Sequence, residues 1–268
     1  MVLRDRAGVS RLLYEGHRPS PNLDVDQLVP IDSRVSLSGC PRVDVLVSPV
    51  LRGRPELLPF VDPWATRARH RVPTGPARCQ AHPLEVRDAV PPSDLRLPRF
   101  STGGSELLSN ADRTVLSGAA ATPEAVLAAL PKASEILIAA QAFAADGAAS
   151  LLLSQGEGQK YTLTLDDLEG VELACAPVVA LILSPAEATA LGPQAPRNPA
   201  DVLIERGARA VFTVTGPVPG SEYRQFFGML FAQIQAGAPV AEALHDVRNR
   251  WMMWNQDSQW VARIVLFE

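Results

Sequence analysis

PVVALILS (177–184) carries no polar side chain before its terminal serine. An uninterrupted apolar run of this length, ending where a proline follows, reads as a strand buried on both faces. Such strands occupy the centre of parallel sheets. The flanking sequence supplies the helices that a parallel sheet needs as crossovers. On one side, NPADVLIERG (198–207) offers Asn198 as N-cap, Pro199 at the first helical position, Asp201 at N3 and Gly207 as terminator. ARAVFTVTG (208–216) then reads as the next strand. On the other side, ATPEAVLAAL (121–130) has Thr122 as cap, Pro123 at the first helical position and Glu124 in the first turn, and EILIAAQ (135–141) follows as a buried strand.

The remaining pattern extends this alternation. SLLLS (150–154) reads as a short strand, and SQGEGQK (154–160) as a hairpin-like turn leading into YTLT. Thr164 caps the acidic turn DDLEG, placing Asp166 and Asp167 at a helix N-terminus, where negative charge is favoured. Helices are expected at 221–236 and from Pro239 toward Trp254, and VARIVLF (261–267) as a closing strand. Helices and strands in this order predict an α/β fold, a mostly parallel central sheet with helices on both faces. Upstream, VDVLVSPV (43–50) is the first buried strand expected. The prolines from Pro55 to Pro98 exclude long helices, leaving short strands and ordered loops. Residues 1–40 are polar and turn-rich, with HRPSPN (17–22) as the clearest break. They read as an N-terminal extension to a domain spanning 41–268.

Composition narrows the function classes. A net charge of −4 argues against nucleic-acid binding. Arg52, Arg54, Arg67, Arg69 and Arg71 are diluted by acidic residues and lack interleaved aromatics, so they read as a solvated loop. No segment approaches the ~20 apolar residues of a membrane span, and the N-terminus lacks the apolar core of a secretory signal. Cys40, Cys79 and Cys175 are widely spaced and include no C-x-x-C pair. They imply a reducing, cytoplasmic setting without a disulfide framework or zinc site. The scattered histidines His17, His70, His82 and His245 imply no metal site, and no cofactor is expected.

Read in order, four C-terminal stretches resemble the CHAT domain, a bacterial relative of the caspases and separases. LTLDDLEGVEL (163–173) resembles the segment before the family's nucleophile strand. VLIERGARAVFTVTGPVP (202–219) is similar to its helix, Gly-Ala-Arg, strand, Trp-Pro-Val passage, with Gly216 where tryptophan is common. FFGMLFAQIQAGAPVAEALHDVRN (226–249) resembles its paired helices, and QWVARIVLFE (259–268) its terminal strand. VDVLVSPVLRGRPELLPF (43–60) and HRVPTGPARC (70–79) agree more loosely. The resemblance implies a caspase-like three-layer sandwich over about residues 40–268.

It also implies what is missing. Peptidase members carry a His-Gly after the strand that here reads EILIAAQAF, which falls on Ala142 and Phe143. An earlier histidine falls on Ile138, and the catalytic cysteine on Ser184, followed by Pro185. Thiolate attack needs an imidazole that lowers the thiol pKa and returns a proton to the leaving amine. An alanine methyl does neither, and Pro185 removes a backbone N–H near the expected oxyanion site. The resemblance therefore implies a pseudoprotease. Its former cleft would be marked by Phe143, Asp166, Asp167 and Pro185, and it would act through a protein partner: an active protease, another effector or a second copy, in a bacterial defence or stress system.

Two alternatives remain at this level. A hydrolase with a relocated base would draw His70 or His82 onto Ser184, or use Cys175, although a small buried hydrophobe is the simpler reading of Cys175. A peptide or small-ligand receptor would reuse the emptied cleft. His245, beside Asp246 and near Arg248, reads as a surface histidine. STGGS (101–105) lacks the lysine and spacing of a phosphate loop. Trp251, Trp254 and Trp260, with Met252 and Met253, read mostly as core packing, any exposed part being a partner surface.

Overall fold

The computed structural model describes residues 2–4, 10–12, 37, 40, 42–46, 64–66, 79–95, 113–145, 148–185, 198–216, 218–220, 222–254 and 258–268. In chain order its strands are β1 (Val2–Arg4), β2 (Ser10–Leu12), β3 (Val43–Leu46), β4 (Trp64–Thr66), β5 (Pro83–Arg87) and β6 (Thr114–Ser117). They continue as β7 (Glu135–Ala145), β8 (Ala148–Leu152), β9 (Thr162–Leu163), β10 (Val178–Pro185), β11 (Ala210–Thr215) and β12 (Val265–Phe267). The helices are α1 (Pro123–Ala129), α2 (Leu165–Glu169), α3 (Pro199–Glu205), α4 (Glu222–Gln235) and α5 (Val240–Trp254). All described strands join one sheet in the order β2-β1-β3-β4-β12-β11-β10-β7-β5-β6, with β8 on β7 and β9 on β8.

The apolar run at 177–184 is β10, and it lies inside a parallel block: β11, β10, β7, β5 and β6 all run the same way. Every residue from Val178 to Leu183 is buried, as a strand covered on both sides requires. Alternation sorts the side chains between two cores. Ile136, Ile138, Ala140, Ala142, Val179, Leu181 and Leu183 pack on one face with α1, α2 and α3. Leu137, Ala139, Ala180, Ile182, Phe212 and Val214 pack on the other with α4 and α5. The three layers of a caspase-like sandwich are thus built.

Local signals act where the sequence puts them. Thr122 accepts from the Ala125 amide, and Asn198 from the Asp201 amide. Gly207, at φ +110, ends α3 and lies so close to the Leu173 carbonyl that a side chain there would crowd it. Arg248, buried on α5, donates through Nε to the Val261 carbonyl (3.1 Å) and through Nη2 to the Ile264 carbonyl, joining α5 to the last strand. Burial pulls its pKa down to about 9, so the guanidinium stays protonated at neutral pH.

Three expectations need correction. The strand expected at 261–267 is shorter, because residues Gln259–Arg263 form a 3-10 helix and β12 begins only at Val265. Contacts with α4 and α5 draw this segment into a turn: Ser258 Oγ and Trp260 Nε1 both donate to Glu222 Oε2 (2.7 and 2.9 Å), and Arg248 takes the Val261 carbonyl. The strand expected at 135–141 continues to Ala145, because it folds back antiparallel on β8. And Cys79 and Cys175 are joined in a disulfide, with Cα atoms 5.4 Å apart. Their 96-residue separation hid this from the sequence. β5 and β10 flank β7 in parallel, so the segments leading into them meet at the same end of the sheet.

β1 and β2 add antiparallel strands beside β3, so part of the first forty residues lies in the sheet. HRPSPN, the arginine-rich stretch, STGGS, His17 and His70 lie outside the described residues, as does most of the proline-rich region.

Candidate functional site

In a parallel α/β sheet the C-terminal ends of the strands form the natural ligand crevice. Here that end is marked by Ser184, half-buried near the close of β10. In the β10–β7 pair Ser184 registers with Gln141, and Pro185 with Ala142. Since Leu183 faces the α1–α3 core and Ile182 the α4–α5 core, alternation directs Ser184 to the α4–α5 side. Gln141 follows Leu137 and Ala139 onto that same side. Ala142 is fully buried in the opposite core. The positions assigned to cysteine and histidine are neighbours in the sheet, yet their side chains leave it in opposite directions.

The other residues marked for the cleft are distributed accordingly. Phe143 is half-buried and pairs with Ser150 in the β7–β8 hairpin. Asp166 and Asp167 begin α2, which packs Leu165 and Leu168 on the α1–α3 side, so this helix and the Ser184 side chain lie on opposite faces. Asp167 closes a capping box with Thr164 and pairs with Lys160 Nζ at 2.6 Å. Burial alone would push its carboxyl up. The hydrogen bonds from Lys160 and Thr164 outweigh this and hold it below the usual range. Asp166 is exposed.

His82 is not placed to serve Ser184 as the relocated-base alternative requires. His82 precedes Pro83, which registers with Glu135, which in turn registers with Val178. Val178 and Ser184 are separated along one strand by about 20 Å, at roughly 3.3 Å per residue. His82 Nε2 is engaged with Thr114 Oγ1 at 2.9 Å, and His245 Nε2 with Asn249 Nδ2 at 3.0 Å. His245 is half-buried rather than fully at the surface. Cys175 belongs to the disulfide at the same end of the sheet as His82, and a cystine sulfur is not a nucleophile. The reading of Cys175 as a free buried hydrophobe is corrected with it.

Beside Ser184, the Gly216 amide donates to the Leu183 carbonyl (3.1 Å) at φ +99. A Cβ at Gly216 would fall within the contact envelope of Arg263 Nη1. Arg263 therefore occupies space at the position where the resembling family commonly carries tryptophan, and burial lowers its pKa. Neither the Gln141–Ser184 register nor the Gly216–Arg263 contact was marked in the sequence.

Of the three tryptophans read mostly as core packing, two lie in the core and one is exposed. Trp251 and Trp260 are 2% and 3% exposed and pack edge-on against Phe226. Trp254 and Met253 are each 68% exposed, at the end of α5. No described helix is long and apolar enough to cross a membrane.

A mostly parallel sheet with helices on both faces defines a caspase-like α/β protein. The family model of the CHAT domain matches residues 66–265, and the chain belongs to this peptidase-related family. No curated protein matches the chain.

Proposed function

We propose that the chain is a CHAT-domain pseudoprotease that acts by binding another protein. The observation that carries this reading is Ala142: a fully buried methyl stands at the position that the resemblance assigns to the imidazole. Cysteine-type peptide cleavage needs a base within hydrogen-bond reach of the nucleophile, directly or through one water, and a methyl supplies none. The position of His82 and the bonding of Cys175 support the same conclusion. Both faces of the sheet keep buried apolar cores, which suits a domain that presents a surface.

The partner is an active protease, another effector or a second copy of this chain, in a bacterial defence or stress system. Exposed Trp254 and Met253 are the anchor of the binding surface, since aromatic and methionine side chains are enriched in interface cores. The test is to assay the purified chain and its Ser184→Ala variant against a random peptide library, and to run a pull-down alongside. The expected result is no cleavage by either form and a stoichiometric partner whose capture is lost in Trp254→Ala. Robust cleavage that Ser184→Ala abolishes would overturn the reading.

A further inference from the structure

The disulfide lies at the end of the sheet away from Ser184, so its chemistry is independent of the pseudoprotease reading. Cys79 and Cys175 lead into β5 and β10, and their bond spans the entry to β7 between them. The two sulfurs sit in unlike surroundings. Cys79 is exposed, whereas Cys175 is half-buried, with its Sγ 3.8 Å from the carbonyl oxygens of Pro131 and Lys132. Partly negative oxygens repel an anionic nucleophile that approaches Cys175, and they suit the hydrogen of a thiol formed there. An approaching thiolate meets an exposed residue at Cys79 and backbone oxygens at Cys175.

We propose that Cys79–Cys175 is a reversible thiol–disulfide site, attacked at Cys79 by a small monothiol of the glutathione class, with Cys79 the site of S-thiolation. In the first step the external thiolate forms a bond to Cys79 Sγ. The Cys79–Cys175 bond breaks, its electron pair leaves on Cys175 Sγ, and water supplies the proton. A second monothiol attacks the external sulfur of the mixed disulfide and displaces the Cys79 thiolate. In sum, two monothiols are oxidised to one disulfide and the protein gains two thiols. The Cys175 S–H then has two carbonyl acceptors at hand.

The reduced chain keeps other ties at this end. The His82 amide donates to Ser134 Oγ (2.8 Å), the Ser134 amide to the His82 carbonyl (3.1 Å) and the Val178 amide to the Ser134 carbonyl (3.4 Å). Reduction therefore leaves a folded, less stable protein. For a closed loop spanning 96 residues, loss of the constraint on the unfolded chain is expected to lower Tm by about 10 °C.

The test uses the full chain purified without reductant, with the free Cys40 replaced by Cys40→Ser or, if that variant folds poorly, blocked by alkylation. It is incubated with reduced glutathione in native buffer, and the products are read by intact mass, peptide mapping and thermal melting. The expected sequence is a single adduct mapped to Cys79, then two free thiols, with the fall in Tm. In Cys175→Ser, exposure to oxidised glutathione should give a stable adduct at Cys79. Thiol release only in denaturant, an adduct on Cys175 instead of Cys79, or an unchanged Tm after both thiols are released would each overturn the proposal.

Discussion

Ser184 stands across the β10–β7 pair from Gln141, and both leave the sheet on the face opposite to Ala142. Two positions one residue apart in register are therefore separated by the thickness of the sheet. Restoring the missing chemistry by sequence position alone is expected to fail. Ala142→His with Ser184→Cys should show no peptide cleavage above the parent in a library assay. Ala142→His should also destabilise the fold by about 2–4 kcal/mol, because an imidazole overfills an apolar site and loses its water there. Urea denaturation of the single variant measures this. A double variant that cleaves peptides would show that the strand ends rearrange.

Gly216 is expected to tolerate no side chain. At φ +99 it occupies backbone space that L residues rarely adopt; Arg263 Nη1 also lies where a Cβ would go, but as the end of a flexible side chain it can shift at small cost. Gly216→Ala should cost about 1–3 kcal/mol, and Gly216→Trp more. Combining Gly216→Ala with Arg263→Ala separates the two causes. Because the guanidinium can shift, the backbone strain should dominate and the double-mutant cycle should be close to additive. A cycle clearly less than additive would mean that Arg263 is held in place.

The tryptophans divide by burial. Trp251→Ala removes a ring packed against Phe226 and Trp260 and should cost about 3–5 kcal/mol. Trp254→Ala removes an exposed ring and should change stability by less than about 0.5 kcal/mol. Guanidinium chloride titrations of the two variants decide it. Equal losses would place Trp254 in a contact that its exposure denies.

The same residues show what the sequence made legible. Caps and breakers act through bonds two to four residues long, so Thr122, Thr164, Asn198 and Gly207 could be read directly, and the helices they bound stand where expected. The burial of β10 followed from composition alone. What sequence could not yield depends on pairing. The face occupied by Ala142 relative to Ser184 requires the β7–β10 register, and the Cys79–Cys175 bond requires the strand order. The 3-10 helix at 259–263 depends on Glu222 and Arg248, residues that belong to two earlier helices. Local propensity gives no sign of such remote partners. Period-two counting along EILIAAQAF would have placed Gln141 and Ala142 on different faces, but not which of them shares a side with Ser184.

Glu135 predicts how stability responds to pH. It begins β7, buried against the end of α4, where Gln235 Nε2 donates to its carboxyl. Burial raises its pKa, opposed in part by the Gln235 hydrogen bond and the charge of Arg113. A carboxyl whose folded pKa lies above its unfolded value binds its proton more tightly in the native state. Its contribution is fully present below the unfolded pKa of about 4.5 and is lost as pH rises through the folded value. Glu135→Gln removes the ionisation and keeps an oxygen that can accept from Gln235. The variant should match or exceed the parent in stability at pH 7 and lose this descending component between pH 4.5 and 7, measured by urea denaturation across that range. A variant clearly less stable than the parent at pH 7, with the parent's pH profile unchanged, would show instead that the charged carboxylate is what Gln235 and Arg113 hold in place.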